Sequence, residues 1–411
     1  MKIVHVTECL AGGVLTFIQN LTQTMPDEQH VLIYSDRPNT PKDVRSCFGK
    51  SVELVYWPHA GRELVPAQDF RATVSLYRLL RQYHDADVIH LHSSKAGFIG
   101  RVVCRLLGLK NVLYTPNGLS FAREDVSERK KQCYIWLEKV ANAFSGDFVA
   151  VCQSERDLLV QNGIHNVYVI NNGMDVRSEE PVYRAFHYPL VVGTVGRLTY
   201  QKNPELFWDI AQAFAGDERV RFVWIGDGEL CSSLPKASNI ELPGWVTLNE
   251  MRQRLQGMDV YLSTALWEGL PLSVLEAMNL GRPLLLTDCI GNHDLVDGSN
   301  GTLFTTASEA VAAIRDWIAR PEQLSVQGQQ SRSLLKAQFS LQGMARQYWD
   351  LYRRNGEVGR YKSSSLAERV FSGKISSSIC SLQGMISAFT CVSQPCLRPL
   401  CATSAMRCRF T

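Results

Sequence analysis

Several features are missing from the sequence, and each absence excludes a class of protein. No run of about 18 apolar residues occurs, and the N-terminal MKIVHVTE lacks the apolar core of a signal peptide. We therefore expect a cytoplasmic protein without a membrane span. The 12 cysteines form no CxxC pair, which argues against a zinc site. A net charge of +3 gives no whole-molecule field that favours nucleic acid.

Cysteine and serine are concentrated near the end of the chain. Residues 356–411 hold five of the 12 cysteines, and Glu357 and Glu368 are their only acids against seven Lys or Arg. This segment shows no alternation of strand and helix patterns. We predict an irregular tail from residue 356, with an interfacial segment at 375–392 as the alternative.

Short apolar runs alternate with amphipathic stretches along the rest of the chain. Ten runs predict strands: 2–7, 30–35, 87–92, 111–115, 147–151, 167–170, 190–196, 220–226, 259–263 and 283–287. Nearly continuous Val, Ile and Leu are typical of parallel strands buried on both faces, with helices outside. The fold class is therefore α/β, with doubly wound parallel sheets.

One polar, proline-bounded segment, residues 176–189, interrupts this pattern. It predicts the seam between two Rossmann-like domains, residues 1–180 and 181–355, whose last helix returns to the first domain. Ligands bind at the carboxyl ends of strands in such sheets. Candidate site residues are therefore sought directly after the predicted strands.

Gly12 and Gly13 follow the first predicted strand and precede a helical pattern. A glycine pair allows a tight turn, and the helix N–H groups behind it suit an anion. The full GxGxxG fingerprint of dinucleotide binding is absent, and a plain turn is the alternative interpretation.

GRLTYQKNP, residues 196–204, follows the first predicted strand of the second domain. Arg197 and Lys202 flank this loop, and Pro204 is well placed to open the next helix. An Arg fork and a Lys point charge together suit a diphosphate. Two solvated surface cations are the alternative.

WEGLPLSVLE, residues 267–276, carries a carboxylate near each end of an apolar run. Pro271 predicts a loop-to-helix junction, with the proline at the first helical position. Glu268 would then lie in the loop beside the Gly269 and Leu270 amides. Glu276 would lie in the helix and accept hydrogen bonds from vicinal hydroxyls, unless it is a capping or core-edge carboxylate.

Together GRLTYQKNP, INNGMD (170–175), WEGLPLSVLEAMNLGRPLLLTD (267–288) and the glycine pair resemble the retaining glycosyltransferases of family 4, which have the GT-B fold. Glu268 and Glu276 match the glutamates of that family's E-x7-E motif. The resemblance covers residues 1–355. It implies two Rossmann-like domains that face a cleft, in which a nucleotide-sugar is bound mainly by the second domain.

The resemblance also implies a role for each matched residue. Arg197 and Lys202 would hold the diphosphate, assisted by the amides of Gly12 and Gly13. Glu276 would bind the ribose hydroxyls, and Glu268 with the two amides that follow it would bind the donor sugar. Backbone near 226–228 and 244–246 would contact the base. The expected reaction is a retaining, metal-independent hexosyl transfer, with the nucleotide-sugar as co-substrate and no cofactor.

The first domain departs from the family at one position. Many relatives have a histidine in a TPHG-like run, whereas TPNG places Asn117 there. Asn cannot titrate, so Asn117 would position the substrate rather than act as a base. His92 and Lys95, in HSSKAG, resemble acceptor-contacting residues of polysaccharide-assembly relatives. His90 and His92 share a strand face, but two histidines without a third ligand do not predict a metal site.

The acceptor implied by the resemblance is a glycan or a polyprenyl-diphosphate-linked glycan in O-antigen, capsule or exopolysaccharide synthesis. From Arg71 to Lys139 there are twelve Lys or Arg against six Asp or Glu. Patches at 99–110 and 127–140 mix these cations with apolar residues and Trp136. They predict peripheral contact with the anionic inner face of the plasma membrane, unless this is an ordinary solvated surface.

Two other functions stay open on the same fold: a nucleotide-sugar 2-epimerase-like enzyme and a non-catalytic glycan-binding protein. The first would convert a nucleotide-sugar without an acceptor. The intact cations and glutamates argue against the second. The donor base, the sugar, the acceptor linkage and the oligomeric state cannot be read from the sequence.

Overall fold

The computed structural model describes residues 1–37, 39–61, 65–176 and 186–366, and for 355–366 it describes the backbone alone. Within them lie two parallel sheets, one of seven strands and one of six, and all strand pairs between neighbours are parallel. The predicted fold of two Rossmann-like α/β domains is thereby confirmed. The predicted seam lies partly in residues 177–185, outside the described residues.

The first sheet has the order β3-β2-β1-β4-β5-β6-β7. Its strands are β1 (Lys2–Thr7), β2 (Gln29–Tyr34), β3 (Val52–Tyr56), β4 (Val88–His92), β5 (Val112–Thr115), β6 (Asp147–Ala150) and β7 (Val167–Val169). The central strands β1, β4 and β5 are buried on both faces because their side chains are covered by helices on both sides.

The second sheet has the order β10-β9-β8-β11-β12-β13. Its strands are β8 (Leu190–Val195), β9 (Val220–Ile225), β10 (Ile240–Gly244), β11 (Val260–Ser263), β12 (Leu284–Thr287) and β13 (Gly301–Phe304). In both sheets the chain order reverses beside the first strand, so the loops after β1 and β8 lie at the switch points where such folds bind ligands.

Helices connect the strands. They are α1 (Gly12–Thr24), α2 (Pro66–Leu80), α3 (Ser94–Leu107), α4 (Glu128–Phe144), α5 (Gln153–Gln161), α6 (Pro204–Gln212), α7 (Leu248–Gln256), α8 (Leu272–Asn279), α9 (Ala307–Ala319), α10 (Glu322–Gln338) and α11 (Leu341–Leu366). Short 3-10 turns include Tyr200–Lys202 and His293–Leu295. No helix in the described ranges has both the length and the apolar character needed to cross a bilayer.

Two proline predictions have different outcomes. Pro204 is the first residue of α6, and the Asn203 side chain accepts a hydrogen bond from Leu206 N at 3.4 Å. Pro271, predicted at the first helical position, lies one residue earlier, as the N-cap of α8 with extended backbone at ψ 116°. Both prolines mark a helix start because neither position needs a backbone N–H.

The last helix crosses from the second domain to the first. Met174 and Leu341 are joined where the chain passes between the domains, with Leu341 N donating to Met174 O at 2.9 Å. Beyond that point α11 buries Tyr348 and Tyr352 in the first domain, in one cluster with Phe17 of α1. The first domain's core is therefore completed by residues from the end of the described chain.

The structure corrects the predicted start of the tail. Helix α11 runs without interruption to Leu366, past the boundary predicted at residue 355. The sequence of α11 contains no proline, so nothing in it forces the helix to end at 355. Residues 367–411, with the alternative interfacial segment at 375–392, lie outside the described residues.

Candidate functional site

A cavity of about 530 Å³ lies where the carboxyl ends of the two sheets face each other. The first domain contributes the loops after β1, β4 and β5, and the second contributes the loops after β8 and β11. Among the predicted site residues, Lys95, Asn117, Glu268 and Gly269 line this cavity. The other predicted residues, Gly12, Gly13, His92, Arg197, Lys202, Leu270 and Glu276, are not among the residues that line it.

Lys202 and Glu268 form an ion pair, with Nζ 2.6 Å from Oε1. The 3-10 turn that carries Lys202 is held by the loop after β11, because Thr264 Oγ1 donates to Lys202 O at 2.9 Å. Burial lowers the pKa of Lys202, but the charge of Glu268 and the hydrogen bond to it outweigh burial, so the pKa is raised from 10.5. Lys202 is therefore a fixed cation.

Arg197 is an exposed residue of the loop after β8, and its side chain has no hydrogen bond or ion pair with any described residue. It is close enough to Cys9, in the loop after β1, for its charge to lower the pKa of that thiol against the larger effect of burial. A guanidinium without a partner among the described residues thus lies near the loop after β1 of the first domain.

Helix α1 begins at Gly12, and its N-cap residue Ala11 offers no side-chain acceptor. Gly12 has φ +54°, and a Cβ added to Gly12 or to Gly13 would meet no atom within 4 Å. The first N–H groups of the helix therefore stay open to an anion, and the backbone can approach it closely. The predicted turn and helix start at the glycine pair are present, and the anion site there stays a prediction.

Glu276 lies in α8 and is largely buried, with Oε1 3.2 Å from Arg252 Nη2 of α7. The E-x7-E glutamates are thus each paired with a different cation, Glu268 with Lys202 and Glu276 with Arg252. Arg252 was not predicted, because nothing in its local sequence distinguishes it from other helical arginines.

The Gly269 and Leu270 amides have no acceptor among the described residues, whereas the Leu270 side chain is buried in the core below. Gly269 also lies against the turn of Asn117 and Gly118 in the first domain. A Cβ at Gly269 would be 3.1 Å from Gly118 N and 3.2 Å from Asn117 C. A side chain at position 269 would therefore require the loops of the two domains to move apart by a few tenths of an ångström.

Lys95 is nearly buried at the start of α3, and its Nζ lies 2.7 Å from Asp69 Oδ1 of α2. Beside it Glu8 accepts a hydrogen bond from Ala96 N at 2.9 Å and pairs with Arg37 at 3.0 Å. Glu8 therefore caps α3 and fixes the cavity wall. It was not predicted, although its position directly after β1 is a strand-end signal.

The structure corrects the prediction for His92, which has no exposed surface and does not line the cavity. Its Nε2 lies 3.1 Å from His5 Nδ1, and His5 Nε2 lies 3.2 Å from His30 Nδ1. The side chain points to the α1 and α11 side of the sheet, because strand residues alternate between faces. Direct contact with an acceptor is therefore excluded for His92.

A third histidine, His5, lies beside His90 and His92, and the ring nitrogens of the three lie within 4.8 Å of one another. The sequence did not reveal this neighbour. Both nitrogens of His90 are hydrogen-bonded, to Tyr352 OH at 2.7 Å and Thr115 Oγ1 at 2.8 Å. Burial lowers the pKa of all three histidines well below 6.5. They form a neutral hydrogen-bonded cluster in the first domain's core.

Two glycine loops lie next to the predicted phosphate-binding cations. A Cβ at Gly226 would be 2.0 Å from Gly196 O, and one at Gly228 would be 2.3 Å from Leu198 O. Gly226 is also bridged to Gly244. The loops after β9 and β10 therefore form a wall against the loop after β8, the place expected for a nucleotide base.

Both halves of the chain match glycosyltransferase families. The family described as Glycosyltransferase Family 4 matches residues 11–178, and the family described as Glycosyl transferases group 1 matches residues 189–320. The first match takes in β2 to β7 and the second takes in β8 to β13, and together they include the cavity-lining loops after β4, β5, β8 and β11.

Individual proteins are also similar. An Escherichia coli UDP-Gal:alpha-D-GlcNAc-diphosphoundecaprenol alpha-1,3-galactosyltransferase is 28% identical over 72% of this chain and 81% of its own length. The O-antigen biosynthesis glycosyltransferase WbnH of Escherichia coli is 26% identical, over 74% and 86%. The structure of Anabaena HepE in complex with UDP-glucose aligns with a TM-score of 0.68 and 17% identity, over 86% of this chain and 100% of its own.

Proposed function

Because the chain belongs to the family 4 glycosyltransferases, which use nucleotide-sugar donors, we propose that it transfers one sugar to a lipid-linked glycan with retention of anomeric configuration. The observation that carries the proposal is the cleft itself. Glu268 lines it and is paired with Lys202, and the cavity also borders Cys9 and Val14, which flank the uncapped start of α1; these contacts support the proposal.

The donor binds on the second domain's side. Arg197 and Lys202 hold the diphosphate together with the first amides of α1, and Glu268 with the two amides that follow it holds the sugar. Glu276 binds the ribose hydroxyls. Two fixed cations stabilise the charge that develops on the leaving diphosphate, so the reaction needs no metal ion in this proposal.

Retention follows from attack on the face that the diphosphate leaves. The acceptor oxygen forms a bond to the anomeric carbon while the bond to the diphosphate oxygen breaks, and the acceptor proton passes to a phosphate oxygen. Asn117, which cannot titrate, orients the acceptor from the opposite loop. The chemistry therefore demands positioning and charge stabilisation rather than a dedicated protein base.

The acceptor binds in the first domain's part of the cavity. Its walls there are formed by apolar side chains of α2, α3 and α4: Phe70, Phe98, Val102, Tyr134 and Leu137. An apolar wall next to the transfer point suits an acceptor that carries a lipid on its diphosphate, as in the similar Escherichia coli galactosyltransferase, whose name specifies a diphosphoundecaprenol. By the same similarity we place the reaction in surface-polysaccharide synthesis, with O-antigen as the first candidate.

Peripheral contact with an anionic membrane is part of the same proposal. Helix α4 exposes Trp136, with 48% of its surface accessible, and three cations near it in the sequence, Arg129, Lys130 and Lys139. The charge count from sequence overstates this surface, because Arg101 is buried in an ion pair with Glu138. Each remaining near-surface cation contributes roughly 1 kcal/mol of attraction to an anionic leaflet.

A thermal-shift screen against UDP- and GDP-sugars tests the donor assignment. A nucleotide-sugar present at a hundred times its Kd should stabilise the protein by about 2.7 kcal/mol. At the same ligand concentration Arg197→Ala should be stabilised by only about 0.4–1.4 kcal/mol. Arg219→Ala, a change to an exposed arginine paired with Asp217, should keep the full stabilisation. Equal shifts in both variants would refute the phosphate assignment.

A further inference from the structure

Glu155 is a fully buried carboxyl group that the proposed chemistry does not use. It is the third residue of α5, after the N-cap residue Cys152. Its Oε2 accepts a hydrogen bond from Val151 N at 2.8 Å, so the side chain reaches back across the start of its own helix. A carboxylate in a first helical turn is favoured by the helix dipole, and this bond satisfies a backbone donor.

The other oxygen of Glu155 leaves its helix and binds the loop after β5. Gly118 N donates to Oε1 at 3.1 Å. Gly118 has φ +112° and Asn117 has φ +54°, so two successive residues have positive φ. Such a turn is unfavourable for a free chain at the asparagine, and an external hydrogen bond stabilises it.

The turn held by Glu155 is the one that touches the second domain's site. The peptide between Asn117 and Gly118 lies against Gly269, next to Glu268. The same end of α5 contacts this loop directly, because Cys152 Sγ donates to Gly269 O at 3.3 Å. The start of α5 therefore contacts both loops that meet here, the Asn117–Gly118 turn of the first domain and Gly269 of the second.

A second contact ties this helix start to the loop after β12. Ser154 N donates to Asp294 Oδ1 at 3.1 Å, and Gly291 N donates to Ser154 Oγ at 3.0 Å. A Cβ at Gly291 would in turn be 2.1 Å from Gly269 O. Residues 151–155 thus contact the loop after β5 of the first domain and the loops after β11 and β12 of the second domain, and they hold these three loops together.

We infer that Glu155 is a positioning residue: through the Gly118 amide its carboxylate holds Asn117 at the transfer point while the residue itself touches no ligand. The catalytic consequence rests on the proposed sugar transfer. The structural part, that Glu155 holds the turn, does not depend on it.

The charge state of Glu155 gives the inference a distinctive signature. Burial raises the pKa of Glu155 to about 7, although the hydrogen bonds from Val151 and Gly118 lower it, and Asp294 raises it further. Cys152 and Tyr348 of α11 also face it, and both are uncharged near pH 7 because their own pKa values are raised by burial. The ionised carboxylate accepts both N–H bonds strongly, so protonation below about pH 7 loosens the turn.

Glu155→Gln and Asp157→Asn form a matched pair that tests this. Both replace a carboxyl by an amide on α5, but Asp157 is exposed and its described partners are its neighbours Arg156 and Gln153. The amide introduced in Glu155→Gln has one acceptor oxygen for two N–H donors, so one hydrogen bond is lost. At pH 8 amide hydrogen exchange in the peptide containing Gly118 should be about tenfold faster in Glu155→Gln, and unchanged in Asp157→Asn.

The kinetic arm measures kcat and KM for transfer between pH 6 and 9. Wild type and Asp157→Asn should lose kcat as pH falls through about 7. Glu155→Gln should have a kcat about tenfold lower at pH 8, a donor KM close to wild type, and no such step. If Gly118 exchange is unchanged in Glu155→Gln, or if its kcat and pH profile match wild type, the inference is overturned.

Failure of the proposed function can be distinguished experimentally from failure of the inference about Glu155. If the wild-type protein transfers no sugar, the proposed function fails, and the exchange of the Gly118 amide still decides whether Glu155 holds the turn. If Glu155→Gln is globally unfolded, exchange of the Gly118 amide is measured in the wild-type protein between pH 6 and 8. The observed rate, corrected for the intrinsic pH dependence of amide exchange, then decides whether Glu155 holds the turn. A protected amide that loosens below pH 7 supports the inference, and a pH-independent one contradicts it.

Discussion

Lys202 Nζ lies 2.6 Å from Glu268 Oε1, and this ion pair joins the loop after β8 to the loop after β11. Family resemblance assigns the first residue to the donor's diphosphate and the second to its sugar. Their direct contact means that neither acts as an independent charge. Lys202 offsets the charge of the largely buried Glu268, and Glu268 holds the ammonium in place; in the proposed reaction this is where the leaving group develops its charge.

Removing Lys202 should therefore harm both stability and activity. In Lys202→Ala the largely buried Glu268 carboxylate loses its only ion-pair partner among the described residues, at a cost of about 1–3 kcal/mol in the free energy of unfolding. Urea denaturation measures the loss. The double variant Lys202→Ala with Glu268→Gln should recover most of the stability but no transfer activity. A single variant as stable as wild type would show that the pair is not coupled.

Arg197 should behave differently, because it has no intramolecular partner among the described residues. Arg197→Ala should change the free energy of unfolding by no more than about 0.5 kcal/mol. It should raise the Kd of the nucleoside diphosphate by about 10- to 100-fold, which corresponds to a lost charge-assisted hydrogen bond of about 1.5–3 kcal/mol. Isothermal calorimetry measures the affinity, with Arg219→Ala as the control; an unchanged Kd refutes the role.

The buried histidines should make stability depend on pH. Burial and neighbouring imidazoles lower the pKa of His5, His90 and His92 in the folded state well below 6.5, whereas in the unfolded state they titrate near 6.5. The unfolded state then binds more protons below pH 6.5. Stability is fully present above pH 6.5 and falls below it, by at most about 1.4 kcal/mol per pH unit for each group.

Glu155 acts in the opposite direction, because its folded pKa is raised to about 7. The stability it contributes is present at low pH and is lost as pH rises toward 7. One carboxyl group opposes three histidines, so the net effect between pH 6.5 and 5 should be a loss of stability. Urea unfolding at several pH values and constant salt measures it. A midpoint that stays constant or rises as pH falls from 6.5 would contradict the buried neutral cluster.

Tyr352 should be essential for docking α11 on the first domain. Its hydroxyl lies 2.7 Å from His90 Nδ1, and the ring is fully buried. Tyr352→Phe keeps the packing but leaves a buried ring nitrogen without this partner, at a cost of about 1–3 kcal/mol. Tyr352→Ala also creates a cavity and should cost about 3–5 kcal/mol. Thermal unfolding distinguishes them, and a Tyr352→Phe variant as stable as wild type would show that the hydrogen bond contributes nothing.

The sequence predicted the interior of both sheets better than their edges. All ten predicted strands are present, because buried parallel strands have continuous apolar runs. The three strands that were not predicted, β3, β10 and β13, all lie at sheet edges. Their sequences VELVY, IELPG and GTLF are short or polar on one face, so they have no pattern that distinguishes them from loops.

The residues of the site also divide into those that the local sequence predicts and those whose contacts come from distant segments of the chain. Strand ends and glycine positions pointed to Glu268 and Gly269, which line the cavity, because each is set by its own loop. Contacts between residues far apart in the chain could not be predicted from the sequence, and the hydrogen bond between Glu155 and Gly118 is one example. His92 was misplaced because alternation on a strand fixes which residues share a face, but not which face borders the cleft.

Sugar transfer by the purified protein, with the configuration of the product, tests the proposed reaction most directly. The purified chain is incubated in EDTA with a panel of UDP- and GDP-sugars and a GlcNAc-diphosphate-lipid acceptor, beside Glu268→Gln. We predict one added sugar, with an anomeric carbon–hydrogen coupling that shows retained configuration, and loss of transfer in the variant. An inverted product, transfer that survives in Glu268→Gln, or no transfer from any donor would contradict a retaining reaction at the Lys202–Glu268 site.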